Sequence, residues 1–173
     1  MAINFQALKA IYLHEMDRFR RTLGQSLLSP VLSTSLYFIV FGSVIGAYVE
    51  NIDGISYGSY IVPGLLMLTL LTQSISNTSF GIFFPKFNGT IYEVLAAPIS
   101  SFEVVLAFVG AGATKTLIVG IVIFITSTFF VEVQVKYPIL MIFLMLIVAF
   151  TFALFGFLIG LLSSNFEQLS VIP

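Results

Sequence analysis

The sequence predicts an all-α, polytopic membrane bundle: an N-terminal interfacial amphipathic helix followed by four transmembrane helices. Three observations carry this. Hydrophobic residues make up 58% of the chain and charged ones only 9%, where a soluble domain carries about 25% charged residues. The seven Lys/Arg and eight Asp/Glu leave long uncharged runs, interrupted only by Lys115, as bilayer-spanning segments require. Before the first such run, Phe5, Leu8, Tyr12, Met16, Phe19 and Leu23 recur at intervals of three and four, the period of a one-sided helix.

That helix covers residues 3–23. Its apolar residues share one face, and Lys9, Glu15, Asp17, Arg18, Arg20 and Arg21 are assigned to the others. A helix of this kind lies at a membrane surface with its basic residues toward headgroups or a protein partner; the plainer reading is a charged lead-in to the first span. No cleavable leader is expected, because the first long apolar stretch starts near Leu27 and no small-residue cleavage site follows a short core.

The spans are placed at residues 27–49, 59–84, 104–131 and 139–162, each long enough for a hydrocarbon core of about 30 Å at 1.5 Å per residue. Pro30 and Pro138 are placed in first turns, where a missing N–H costs little, and Pro63 near the start of the second span. Short loops rich in Lys and Arg stay cytoplasmic. Lys9, Arg18, Arg20, Arg21, Lys86 and Lys115 fall on one side and Lys136 on the other, so both termini are expected in the cytoplasm.

Lys115 falls inside the third span, where a bare ammonium is expensive. The stretch containing Gly110, Ala111, Gly112 and Ala113 is weakly apolar. The expectation is one long helix whose first part lies at the cytoplasmic surface, whose apolar part is 116–131, and whose Lys115 snorkels to the interface. The rival reading is a buried lysine on an ion pathway.

Much chemistry is excluded. A net charge of -1 without clustered Lys/Arg argues against a nucleic-acid partner. With no cysteine and one histidine, there is no thiolate nucleophile, disulfide, Cys-based metal site or His-only cluster to build. No G-x-x-x-x-G-K-[ST] loop is present to cradle nucleotide phosphates, and no catalytic residue, cofactor or metal is expected. The assigned spans contain no Asp, Glu, His or Arg, which disfavours an ion-coupled carrier.

Three features remain as candidate sites. Gly42 and Gly46 in the first span, and Gly156 and Gly160 in the fourth, each form G-x-x-x-G, a spacing that lets helix backbones approach, within one chain or across a dimer seam. Thr69, Gln73 and Ser76 share one face of the second span, and either line a pathway or hydrogen-bond neighbouring helices. The loop over 85–103 is too polar to span. Within it Thr90, Ile91, Tyr92, Glu93, Val94, Leu95, Ala96 and Ala97 make two helical turns closed by Pro98, exposing Tyr92 and Glu93 beside apolar neighbours, a surface suited to docking.

The run Asn88-Gly89-Thr90-Ile91-Tyr92-Glu93-Val94-Leu95-Ala96-Ala97-Pro98-Ile99-Ser100 resembles the cytoplasmic loop of the membrane permeases of type-2 ABC exporters, which carry drugs, lipids or polysaccharides out of bacteria. Residues 15–21 followed by Ser29-Pro30, residues 36–46, and residues 163–168 extend the resemblance over the whole chain. The family commonly has a charged residue where this chain has Asn88.

The resemblance implies a homodimeric unit in the bacterial inner membrane, with separate ABC ATP-binding subunits that hold the ATP. It also implies a six-helix unit of which spans five and six would be missing here, and residues 90–97 as the ATPase-coupling helix. Membrane lipids and a second copy of the permease complete the expected partners. The alternatives are a non-transporting membrane scaffold or assembly protein and, less favoured, a secondary carrier.

Overall fold

The computed structural model describes residues 4–41, 51–52, 54–133 and 135–171. Its first helix, α1 (Phe5–Arg21), starts at Asn4, whose Oδ1 accepts the Ala7 N–H at 3.2 Å and so satisfies one of the free donors of the first turn. At Thr22 the chain breaks only briefly. The Thr22 hydroxyl bonds back to the Arg18 and Phe19 carbonyls, at 3.2 and 3.3 Å, and α2 (Leu23–Val40) follows at once. A two-residue antiparallel ribbon, β1 (Asn51–Ile52) and β2 (Ile55–Ser56), precedes α3 (Tyr57–Asn88), with Gly54 at φ 80° in its turn. The short helix α4 (Ile91–Ala96), then α5 (Ser101–Thr128), α6 (Pro138–Leu162) and α7 (Phe166–Val171) complete the order.

Four helices, α2, α3, α5 and α6, are long and apolar enough to cross a membrane. The chain is thus an all-α polytopic bundle, with α3, α5 and α6 packed on one another and α1 and α2 laid against α5. Helices α3 and α6 run in the same direction, since Gly156 meets Ile75 and Gly160 meets Ser79. Helix α5 runs the opposite way: Gly112 faces Thr78 and Gly120 faces Leu70. The buried interior divides into one cluster around Ile82, Phe108, Ala153 and Phe157 and another around Phe19, Leu70, Ile123 and Met145.

Several boundaries differ from the sequence expectation. Helix α2 begins at Leu23, so Pro30 lies in the helix interior and is buried, not in a first turn. Helix α3 continues past residue 84, with Pro85 inside it, and ends only where Gly89 adopts φ +79°, a left-handed conformation that glycine reaches without a Cβ penalty. Helix α5 starts at Ser101 because Ser100 and Glu103 form a capping box. By residue 129 its helix has ended. Helix α6 starts at Pro138, one residue before the expected boundary, with proline at the first helical position where it does no harm. The outer end of the first span, with Gly42 and Gly46, lies outside the described residues.

The capping box also joins two distant segments. Glu103 Oε2 accepts the Ser100 N–H at 2.8 Å, and Oε1 accepts the Asn4 N–H at 2.6 Å. Glu103→Ala should therefore loosen the first turns of α1 and α5 together. Hydrogen–deuterium exchange is expected to quicken over residues 4–8 and 100–104 and to stay unchanged in α6; protection retained at 4–8 would show that Glu103 does not hold α1.

Candidate functional site

Between the end of α3 and the start of α5, helix α4 sits by one side only on the cluster around Ile82, Phe108, Ala153 and Phe157. Ile91 and Val94 pack against it, as does Ile99 beyond the helix. Tyr92 is 72% exposed and Leu95 66% exposed, and Glu93 and Ala96 share that open face. The periodicity explains the division, because positions 91 and 94 are one turn apart and the residues between them turn away. Thr90 is the helix's N-cap residue and Ala97, in extended conformation, ends it. The structure thus gathers all eight residues from Thr90 to Ala97 into one protruding unit, with an apolar and acidic outer face. At its base, Lys86 donates to the carbonyls of Leu161 and Ser163 at 2.7 and 2.9 Å, placing a cation on the negative end of α6.

In α3 the polar residues separate into two sets. Ser74, Thr78 and Ser79 are buried, with Ser74 donating to the Ala149 carbonyl of α6. Thr69, Gln73 and Ser76 lie on a half-buried side. Thr69 Oγ1 bonds its own helix at the Leu65 carbonyl, 2.8 Å away, and Gln73 Oε1 accepts from Asn77 at 3.4 Å. Neither bond crosses to a neighbouring helix. Gly156 and Gly160 face α3 inside the chain, where a Cβ would stand 2.9 Å from the Cα of Ile75 or of Ser79 respectively.

The largest departure from the sequence expectation is Lys115. It does not extend outward from the bundle. Its side chain is buried and its Nζ donates to Glu15 Oε2 at 2.7 Å. Arg18 approaches the same oxygen at 2.9 Å, and the Tyr12 hydroxyl meets Thr114 Oγ1 at 3.0 Å nearby. Glu15 is accordingly on the packed face of α1, with Phe19, and not on a polar face. The missed signal was the spacing: Glu15 follows Tyr12 by three residues and precedes Phe19 by four, which puts a carboxylate on the apolar stripe. Gly81 of α3 lies beside it, and a Cβ there would stand 3.4 Å from Glu15 Oε2, an ordinary contact distance.

The ABC-2 type transporter family model matches residues 6–173. The chain is similar to the "Inner membrane transport permease YadH" of Escherichia coli strain K12 and to the protein of the same name from Shigella flexneri. It is 36% identical to each over 173 residues, which cover all of this chain and 68% of those proteins. No solved structure matches it. With four helices able to cross a membrane and a family match over nearly its full length, the chain belongs to the ABC-2 type transporter family, as a multi-pass membrane subunit for transport.

Proposed function

We propose that this chain is the membrane-spanning part of an ATP-driven exporter in a bacterial inner membrane. Two copies work with separate ABC ATP-binding subunits, which bind and hydrolyse the ATP, while the permease catalyses no reaction. The cargo class is a drug, lipid or polysaccharide. Both ends of the described bundle and α4 face the cytoplasm, a placement supported by the one-sided distribution of Lys and Arg.

The observation that carries this reading is helix α4: a two-turn element between two spans, anchored by Ile91 and Val94 and open on the side of Tyr92, Glu93 and Leu95. A plain connector has no use for an apolar outer face. A partner that prefers one conformation of the spans can drive them through such a contact by its differential binding. The half-buried stripe of Thr69, Gln73 and Ser76 supplies polar groups for a cargo pathway.

The test is capture of the ATP-binding subunit. Glu93→Lys reverses a charge in the contact, and Leu95→Asp puts an unpartnered carboxylate against apolar surface; each should weaken binding by a few kcal/mol, on the order of 100-fold. Membrane insertion should be unchanged, because neither residue lies in a span, and Asn51→Lys in the ribbon serves as the control. Parent-like capture and ATP hydrolysis in both variants would reduce α4 to a connector and favour a membrane scaffold.

A further inference from the structure

Helix α1 touches α5 at successive heights. Asn4 meets Glu103, Tyr12 meets Thr114 and Glu15 meets Lys115. The separations of 99, 102 and 100 residues are nearly constant, so the two helices run side by side in the same direction over about 16 Å, at 1.5 Å per residue. The lower end of this seam is tied to the coupling element as well, because Asn4 Nδ2 donates to the Pro98 carbonyl at 3.4 Å, two residues beyond α4.

We infer that the buried Glu15–Lys115 pair clamps α1 to α5, so that a displacement of α4 carries both helices as one body; Glu15 and Lys115 are then positioning residues for transport. The argument is the asymmetry of the pair. If α1 slid or tilted away, Glu15 would keep Arg18, three residues along its own helix. Lys115 would keep no carboxylate seen among the described residues, inside a buried seam. An ammonium stranded in that way resists the separation. The motion between access states must therefore take place at seams other than α1–α5. This inference rests on the exporter reading for what moves α4, but the clamp itself does not depend on it.

The absence of native cysteine makes a direct test available. Nitroxide labels at Leu13→Cys on α1 and Ile125→Cys on α5, both exposed positions, report the separation of the two helices by pulsed electron paramagnetic resonance. In the complex with its ATP-binding subunit, the parent distance distribution should be the same without nucleotide and after trapping with ATP and vanadate, with trapping verified by retained nucleotide. Glu15→Ala should broaden it in both states. The exchanged pair Glu15→Lys with Lys115→Glu should restore a narrow distribution. A parent distribution that moves on trapping overturns the inference, as does a Glu15→Ala distribution like the parent's or an exchanged pair that stays broad. If no ATP-binding subunit is captured, the functional reading fails instead, and the nucleotide-free comparison of the three proteins still decides on the clamp.

Discussion

Glu15→Ala is expected to destabilise the bundle by about 3–5 kcal/mol, the range for removing one partner of a buried ion pair. The loss comes less from the missing attraction than from what remains: Lys115, buried, with its carboxylate gone. Lys115→Met should cost much less. Glu15 then keeps Arg18 at 2.9 Å, and methionine replaces most of the lysine stem with an apolar chain of similar reach. The double variant Glu15→Leu with Lys115→Met should recover most of the loss, since a buried pair replaced as a whole by apolar residues is often neutral. Thermal denaturation in detergent, followed by loss of the monodisperse species, ranks these proteins. Equal losses for Glu15→Ala and Lys115→Met would refute the asymmetry.

Gly160→Leu should be of comparable severity. At this position a Cβ meets the Ser79 carbonyl and stands 2.9 Å from the Ser79 Cα. Backbone cannot swing aside as a side-chain end can, so α6 has to leave α3. Overpacking costs about 1–3 kcal/mol in general, and the upper end or beyond applies where main chain blocks the way. Gly64 gives the contrast within the same bundle, because a Cβ there meets nothing within 4 Å. Gly64→Ala should be neutral or stabilising by about 0.5–1 kcal/mol, through the better helix propensity of alanine. The same denaturation assay compares the two; a Gly160→Leu protein as stable as Gly64→Ala would show that the backbones of α3 and α6 do not meet at Gly160.

How legible these features were depended on how local their causes are. Helix α6 is set by an uncharged run, apolar but for Thr151, and a proline at its first position, and both lie within its own residues. Helix α4 is similarly local, with Gly89 before it and Pro98 after. Reading Pro85 as a boundary missed that a helix loses one hydrogen bond at a proline and can still continue for another turn, until Gly89 turns the chain. The start of α5 was missed although its cause is local, since Ser100 and Glu103 have the spacing of a capping box that places the first turn at Ser101 and not at residue 104, and the two-residue ribbon was not foreseen either.

Lys115 was a different problem. Its environment is set by a helix 100 residues earlier, and no property of α5 alone distinguishes a lysine that escapes to an interface from one whose counter-ion is brought to it. The same holds for the glycines at 156 and 160: spacing establishes that something approaches closely, and only the tertiary arrangement places α3 there.

The 100-residue interval between Glu15 and Lys115 also orders the making of the protein. A ribosome adding roughly 5–20 residues per second delivers α1 about 5–20 s before the lysine that will hold it. During that time Glu15 has a local counter-ion in Arg18, already in place one turn along the same helix. The newborn α1 can thus wait with its carboxylate neutralised, and lock only when the third span arrives.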